Sequence, residues 1–452
     1  MRAATVKHGS SYHRAVSTAS ATVRLALAVA IVALVAAGAA LGFRELLHVV
    51  YLHVLGDRDV SRGAAALPWW LCLLMPAVGG AVAAGLAQLG RSGNAGVGGV
   101  MEAVLLGRGR ISLRASAVRV VACFIAVASA GSIGREGPII QLGAGVGDAL
   151  GRRVRMVDFQ RRMLIAAGTA AGFAAAYGTP LAGVLFVVEV VTISAATRMV
   201  VPVAIAAVVA GLVVRSGPLY GARAFVWGER VELLAFAGLG VVAAVAGVAF
   251  MTLLRLAARG FARIPGPVAL RAGLGGAIAG AIMIGAPGVA GNGYEAIRGL
   301  LDVDTLASAV AVLLVAKVFA TAASVGSGTP GGVFTPALLV GASMGRLVAL
   351  GLAAAGAHVD PGAYAVVGMA AACAATTHAP LMASVMLLEL TDDSSLIAPL
   401  LLASIVATVT ARLVHPDSLY TEELRRRNVP WGRVSAPPEP PPRVEVEGGE
   451  GI

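Results

Sequence analysis

The chain has 452 residues, of which 58% are hydrophobic and only 13% are charged, whereas an ordinary soluble domain carries about 25% charged residues. This composition excludes a soluble globular domain and predicts a helical protein that crosses a membrane many times. Much of the formal net charge of +11 lies in short arginine clusters, as expected for connections on the cytoplasmic side of a membrane, so we expect no nucleic-acid partner.

In chain order, residues 1–22 form a basic, polar segment that we expect to lie in the cytoplasm. Residues 23–427 form the predicted membrane domain, since they contain apolar stretches close to the roughly 20 residues that a helix needs to cross the hydrocarbon core. Examples of these stretches are residues 25–43, 234–254 and 396–411.

Residues 428–452 are rich in proline and glutamate and have almost nothing to bury, so we predict a disordered tail. Because basic residues lie near both ends of the chain, both termini are expected in the cytoplasm, with the protein in the cell membrane.

Two pairs of motifs predict an internal duplication, with halves of about 23–225 and 226–427. GREGPIIQLGA and GTPLAGVLFVVE in the first half correspond to GGVFTPALLVGA and HAPLMASVMLLE in the second. The paired prolines lie 42 residues apart in the first half and 44 in the second, and nine residues separate the later proline from a glutamate in both. Inverted repeats of this kind are common in transporters.

Each first motif has the form of a helix start, a glycine-rich turn followed by a proline. Because both starts lie within apolar sequence, their unpaired peptide N–H groups must line a cavity or meet a ligand. Such N–H groups and the positive end of the helix dipole bind anions. We therefore predict that the two starts converge on an anion site.

Glu136 lies in the first of these turns, and a carboxylate within a membrane is usually functional. An ionised Glu136 can occupy the place of the permeating anion, and a protonated one must release it; the alternative is a salt bridge to Arg135. Glu189 and Glu389 end matching apolar segments, and we favour a purely structural role for both.

These motifs resemble those of the CLC chloride channels and transporters. GSIGREGP, GSGTPGGVFTP, the two PL-containing helices and DSLYTEELRRR follow the order of that family over roughly residues 24–427. The resemblance implies an all-α membrane protein, an antiparallel inverted repeat of about 17–18 tilted and broken helices. It also implies a homodimer with one pore per subunit.

The resemblance further implies that Glu136 is the gate and that chloride, the transported ligand, meets mainly peptide groups along the pore. The implied anion-binding residues are Gly134, Arg135, Glu136, Gly137, Val333, Phe334, Thr335 and, through its hydroxyl, Tyr420. No cofactor or metal is implied, and the paired cytoplasmic CBS domains of many relatives are not expected.

Two departures from the family pattern bear on function. Ala95 stands at the pore serine position, so anion preference is open. Val190 stands where exchangers carry an inner proton glutamate, directly after Glu189. Since valine cannot carry a proton, we favour passive conduction. A chloride/proton antiporter remains the alternative, with protons delivered by water or by Glu189.

Two remoter functions remain. One is a fluoride exporter of the same family, whose gating motif differs from GREGP. The other is an intramembrane serine protease, because GASMG contains Ser343 in a G-x-S-x-G pattern and His378 follows. That pattern is weak in a glycine-rich chain, so we expect no enzymatic activity.

Overall fold

The computed structural model describes residues 8–90, 96–107, 109–192, 198–214, 217–228, 230–302 and 305–429. Within these ranges the chain forms 18 α-helices, in agreement with the predicted all-α fold. Seven helical stretches in the described ranges are long and apolar enough to cross a membrane.

The helices of the first half are α1 (His8–Leu55), α2 (Val60–Ala66), α3 (Trp69–Leu89), α4 (Gly96–Leu105), α5 (Leu113–Ala128), α6 (Glu136–Arg153), α7 (Asp158–Tyr177), α8 (Pro180–Phe186) and α9 (Val200–Val214). The helices of the second half are α10 (Glu232–Ala262), α11 (Val268–Gly285), α12 (Tyr294–Asp302), α13 (Ala307–Gly326), α14 (Phe334–Ala354), α15 (Pro361–Thr377), α16 (Pro380–Thr391), α17 (Ile397–Val414) and α18 (Leu419–Arg426).

The two halves pack their helices in the same way. In the first half α1 packs on α7 and α9, and in the second half α10 packs on α15 and α17. Helix α3 packs on α11 and α8 on α16, so these pairs join one half to the other. The structure thus has the duplication that the motif spacings predict.

Helices α7 and α15 form the centre of each half. Every residue from Met163 to Tyr177 in α7 is buried, as is every residue from Gly362 to Thr377 in α15. Both consist largely of alanine and glycine. Small side chains let helices approach closely, and in lipid this close packing replaces the hydrophobic effect as the force that holds helices together.

Close helix contacts of the same kind recur in the two halves. A Cβ atom added to Gly143 of α6 would overlap the carbonyl oxygen of Gly168 in α7. A Cβ atom added to Gly341 of α14 would overlap the carbonyl oxygen of Gly368 in α15. These contacts fix where α6 and α14 begin relative to the centre of each half.

Candidate functional site

The two glycine-rich turns of the repeat are joined directly through their backbones. Gly134 donates its N–H to the Gly332 carbonyl at 2.7 Å, and Gly332 donates to the Gly134 carbonyl at 2.6 Å. They form an isolated antiparallel bridge. The structure therefore brings the starts of α6 and α14 together, as the sequence predicts.

Neither helix start is capped by a side chain of the described residues. The residues before them, Arg135 and Val333, make no side-chain capping hydrogen bond. The first peptide N–H groups of both helices have no partner within their own helix. Two positive helix ends consequently meet at one buried place, where they favour negative charge.

Glu136 supplies a negative charge at this place. The residue is only 1% exposed, and its Oε1 accepts hydrogen bonds from the hydroxyls of Thr335 at 2.5 Å and Tyr294 at 3.3 Å. Its Oε2 is buried without a hydrogen-bond partner among the described residues. The carboxylate of the first half is thus held by a residue in the first turn of α14, in the second half.

Tyr177 and Tyr294 complete the surroundings of this carboxylate, and neither is among the site residues predicted from the sequence. The Tyr177 hydroxyl lies 3.3 Å from the Thr335 hydroxyl, and the two tyrosine rings meet edge to face with centroids 6.4 Å apart. A buried tyrosine hydroxyl usually has a hydrogen-bond partner. A tyrosine in an apolar segment is therefore expected to have a hydrogen-bond partner, but the sequence does not show which residue that partner is.

The Arg135 side chain packs against two aromatic rings. Its guanidinium carbon is 5.3 Å from the Tyr294 ring centre and 6.0 Å from that of Phe43. No ion pair between Arg135 and Glu136 is among those formed by the described residues. The arginine adds positive potential near the carboxylate without neutralising it through direct contact.

Two cavities approach the start of α6. The wider one, about 440 Å³, is lined by Glu136, Phe334 and Tyr420, together with residues of α4, α10 and α18. The narrower one, about 20 Å³, is lined by Arg135, Tyr177 and parts of α1 and α7. Since a water molecule needs roughly 10–15 Å³, the narrow cavity has room for little more than one.

A third and larger cavity, about 710 Å³, is unrelated to this site. It is an almost wholly apolar groove between α10, α11 and α13 and contains none of the residues predicted to bind anions. Exposed side chains such as Val312 and Phe319 line it. Such a surface suits lipid chains and offers no polar side chain to an ion.

Glu189 and Glu389 bind across the boundary between the halves. The Glu189 carboxylate accepts hydrogen bonds from the peptide N–H groups of Leu381 at 3.2 Å and Met382 at 2.6 Å. The Glu389 carboxylate accepts them from Leu181 at 2.9 Å and Ala182 at 2.8 Å. Each glutamate therefore accepts hydrogen bonds from the free peptide N–H groups at the start of a short helix in the opposite half.

The neighbouring residue Val190 is buried, with 4% exposure. It lies in a single π-helical turn, Val187–Val191, which follows α8 directly. The matching segment of α16 is a regular α-helix that continues to Thr391. Turns of this kind often mark functional places, but the apolar side chain of Val190 offers no proton-carrying group.

The remaining predicted residues fall in different places. Tyr420 is buried at the start of α18 and lines the wide cavity, where its ring meets Phe186 edge to face at 5.9 Å. Ala95 lies outside the described residues. Ser343 Oγ and His378 Nε2 are both buried without a hydrogen-bond partner in the described parts of the chain, so no serine–histidine pair is formed.

Residues 79–412 match the family described as voltage gated chloride channel. The chain is 43% identical over 401 residues to the putative chloride channel protein ClcB-like of Ralstonia nicotianae, covering 86% of this chain and 94% of that protein. It is 35% identical over 419 residues to the voltage-gated ClC-type chloride channel ClcB of Escherichia coli, covering 90% and 100%.

Two solved structures have the same fold. A slow cyanobacterial Cl⁻/H⁺ antiporter matches with a TM-score of 0.79 at 25% identity, covering 91% of this chain and 99% of that one. A CLC-type fluoride/proton antiporter matches with a TM-score of 0.75 at 22% identity, covering 88% and 97%.

Proposed function

We propose, since this chain belongs to the voltage gated chloride channel family, that it conducts chloride passively across the cell membrane through a pathway gated by Glu136. The observation that carries this proposal is the Glu136 carboxylate itself. It lies buried where the starts of α6 and α14 meet. Within the described parts of the chain neither start has a side-chain cap, and one carboxylate oxygen has no hydrogen-bond partner. A negative group already occupies the place that suits an anion.

In the proposed mechanism the ionised carboxylate blocks the pathway between the wide and the narrow cavity. Thr335 and Tyr294 hold its Oε1 through hydroxyl hydrogen bonds. Protonation removes the negative charge, so the attraction to the helix ends weakens and a chloride ion can replace the side chain. Weak coordination by peptide dipoles lets the ion leave again, as conduction requires.

The anion-binding groups in this proposal are those that the family resemblance implies. The peptide groups around Glu136 and those around Phe334 bind the ion in turn, and the Tyr420 hydroxyl contacts it from the wide cavity. The hydroxyl-free residue Ala95 makes the pore less selective among small anions. We also propose a homodimer with one pore in each subunit and with both termini in the cytoplasm.

Passive conduction rests on Val190, which offers no carboxylate at the inner proton position. Glu189 does not replace it in this proposal, because its carboxylate is already engaged by two peptide N–H groups of α16. The competing function is chloride/proton antiport, which is the activity of the cyanobacterial protein with the same fold. Coupled proton movement distinguishes the two.

Chloride efflux from liposomes containing the purified full-length chain tests the proposal. We expect efflux above that of protein-free liposomes, recorded with a chloride electrode after the membrane potential is clamped near zero with an ionophore. Absence of efflux at every pH in correctly folded protein would overturn it. A fluoride efflux much faster than chloride efflux would favour the fluoride exporter instead.

A further inference from the structure

The start of α4 is occupied by a second carboxylate, that of Glu423 from α18. A Cβ atom added to Gly98 would lie 2.9 Å from Glu423 Oε2, and one added to Gly96 would lie 3.2 Å from it. The Gly98 peptide N–H is close enough to the carboxylate to act on its charge. The two glycines thus leave room for Glu423 at the positive end of a ten-residue helix.

The side-chain amide of Gln141 also lies at the start of α4. Gln141 is 1% exposed, and its Oε1 accepts a hydrogen bond from the Gly96 N–H at 2.9 Å. Its amide nitrogen Nε2 has no hydrogen-bond partner among the described residues. Gln141, Gly96 and Glu423 all line the wide cavity. A buried amide donor beside a helix start is suited to an anion.

Two of the arginines around Glu423 are shared with other carboxylates. Its ion pair with Arg427 is long, at 3.9 Å, and Arg427 also pairs with Glu102 at 3.3 Å. Arg119 of α5 and Arg426 act on it over longer distances. The adjacent Glu422 is engaged by Arg426 at 2.8 Å and by Arg255 at 3.7 Å.

Protons can reach Glu423 from the wide cavity. Its side chain is 40% exposed, whereas Glu136, which lines the same cavity, is almost fully buried. The cavity therefore has a carboxylate at each of two helix starts, one enclosed and one open to solvent. These positions differ in access to protons.

We propose that Glu423 is a second gating carboxylate, which competes with chloride for the start of α4. Ionised, it occupies the anion's place and lowers the affinity of the wide cavity for chloride. Protonated, it withdraws, and the Gln141 amide together with the α4 peptide N–H groups binds the ion. This inference rests on the proposed chloride transport and adds to it a residue that controls entry.

Chloride binding to the purified full-length chain, measured by calorimetry, tests this role. The Glu136→Gln variant serves as the background, so that titration of Glu136 does not contribute. In that background we expect tighter binding at about pH 4.5 than at about pH 7.5, on the two sides of the range where a carboxylate titrates. Adding Glu423→Gln should tighten binding about fivefold at the higher pH, because a neutral hydrogen bond competes more weakly than a charged one.

The double variant should also lose the difference in affinity between the two pH values. Asp158→Asn is the matched control, since Asp158 is 90% exposed and lies outside both cavities; it should leave affinity unchanged. If Glu423→Gln leaves binding and its pH dependence as in the background, the gating role is wrong while chloride transport stands. If no variant binds chloride, the proposed function fails as well.

Glu423→Ala provides a second test of the same claim. It removes the competing group entirely, so it should tighten binding at least as much as Glu423→Gln. Weaker binding in both variants, with size-exclusion profiles like that of the background, would show that Glu423 supports the site instead of competing for it. That result would overturn the proposal.

Discussion

Gly134 and Gly332, 198 positions apart in the sequence, exchange both of their peptide hydrogen bonds. This backbone bridge holds the start of α6, in the first half, next to the start of α14, in the second half. It needs no side chain, so it leaves the space beside it to the Glu136 carboxylate. A Cβ atom on Gly134 would overlap Glu136 Oε2, whereas one on Gly332 would lie 3.4 Å from the same atom.

The first prediction follows from this difference between the two glycines. Gly134→Ala should displace the Glu136 carboxylate, because the end of that side chain is the group that must move, and should raise chloride efflux at neutral pH several-fold. Gly332→Ala is the matched control and should alter efflux much less, since its nearest contacts are ordinary van der Waals distances. Equal efflux from the two variants would count against this reading of the bridge.

The hydroxyl groups that hold Glu136 give a second prediction. Thr335→Val removes the 2.5 Å hydrogen bond and Tyr294→Phe removes the 3.3 Å one. A hydrogen bond to a charged group contributes about 1.5–3 kcal/mol, so we expect about tenfold faster efflux at neutral pH for Thr335→Val and a smaller gain for Tyr294→Phe. Liposome efflux measures both, and slower efflux in either variant would argue that the hydroxyl serves the ion and not the gate.

Glu189 and Glu389 carry the third prediction. Each satisfies two peptide N–H groups of a short helix in the other half. Glu189→Gln and Glu389→Gln should therefore each destabilise the fold by about 2 kcal/mol without changing the pH dependence of efflux. Thermal unfolding in detergent checks the first part. A changed pH response of efflux in Glu189→Gln alone would instead assign Glu189 to a proton path.

Much of this architecture can be predicted from the sequence because short local motifs identify the repeat. GREGP and GGVFTP each combine a glycine turn with a helix-starting proline, and finding both within apolar sequence predicts buried helix starts. The resemblance to the CLC family, carried by the same motifs, is confirmed by the matches to known proteins.

Other parts of the site depend on contacts between distant segments and could not be predicted. The partners of Glu189 lie 192 and 193 positions away, and Tyr294 reaches Glu136 across 158 positions. A single tyrosine or glutamate in an apolar segment carries no sign of which segment it will meet. Nothing in the sequence marks Glu423 as a site residue either, because it lies in the charged end of DSLYTEELRRR, where a solvated glutamate is ordinary.

The fourth prediction concerns coupling to protons. Because Val190 offers no group that carries a proton, a chloride gradient should drive no proton movement against a pH gradient. A pH electrode outside proteoliposomes records this directly while the chloride gradient is imposed. Proton movement against its gradient in a fixed ratio to chloride would establish antiport, and Glu189→Gln would then show whether Glu189 carries the proton.

The role of Glu136 is tested most directly by chloride efflux from proteoliposomes at about pH 7.5 and about pH 4.5, values on the two sides of the carboxylate range. We predict that wild-type efflux rises on acidification, whereas Glu136→Gln is fast at both values and loses most of the pH response. A Glu136→Gln variant that keeps the wild-type response, or that is blocked at both values, would contradict a gate formed by this carboxylate.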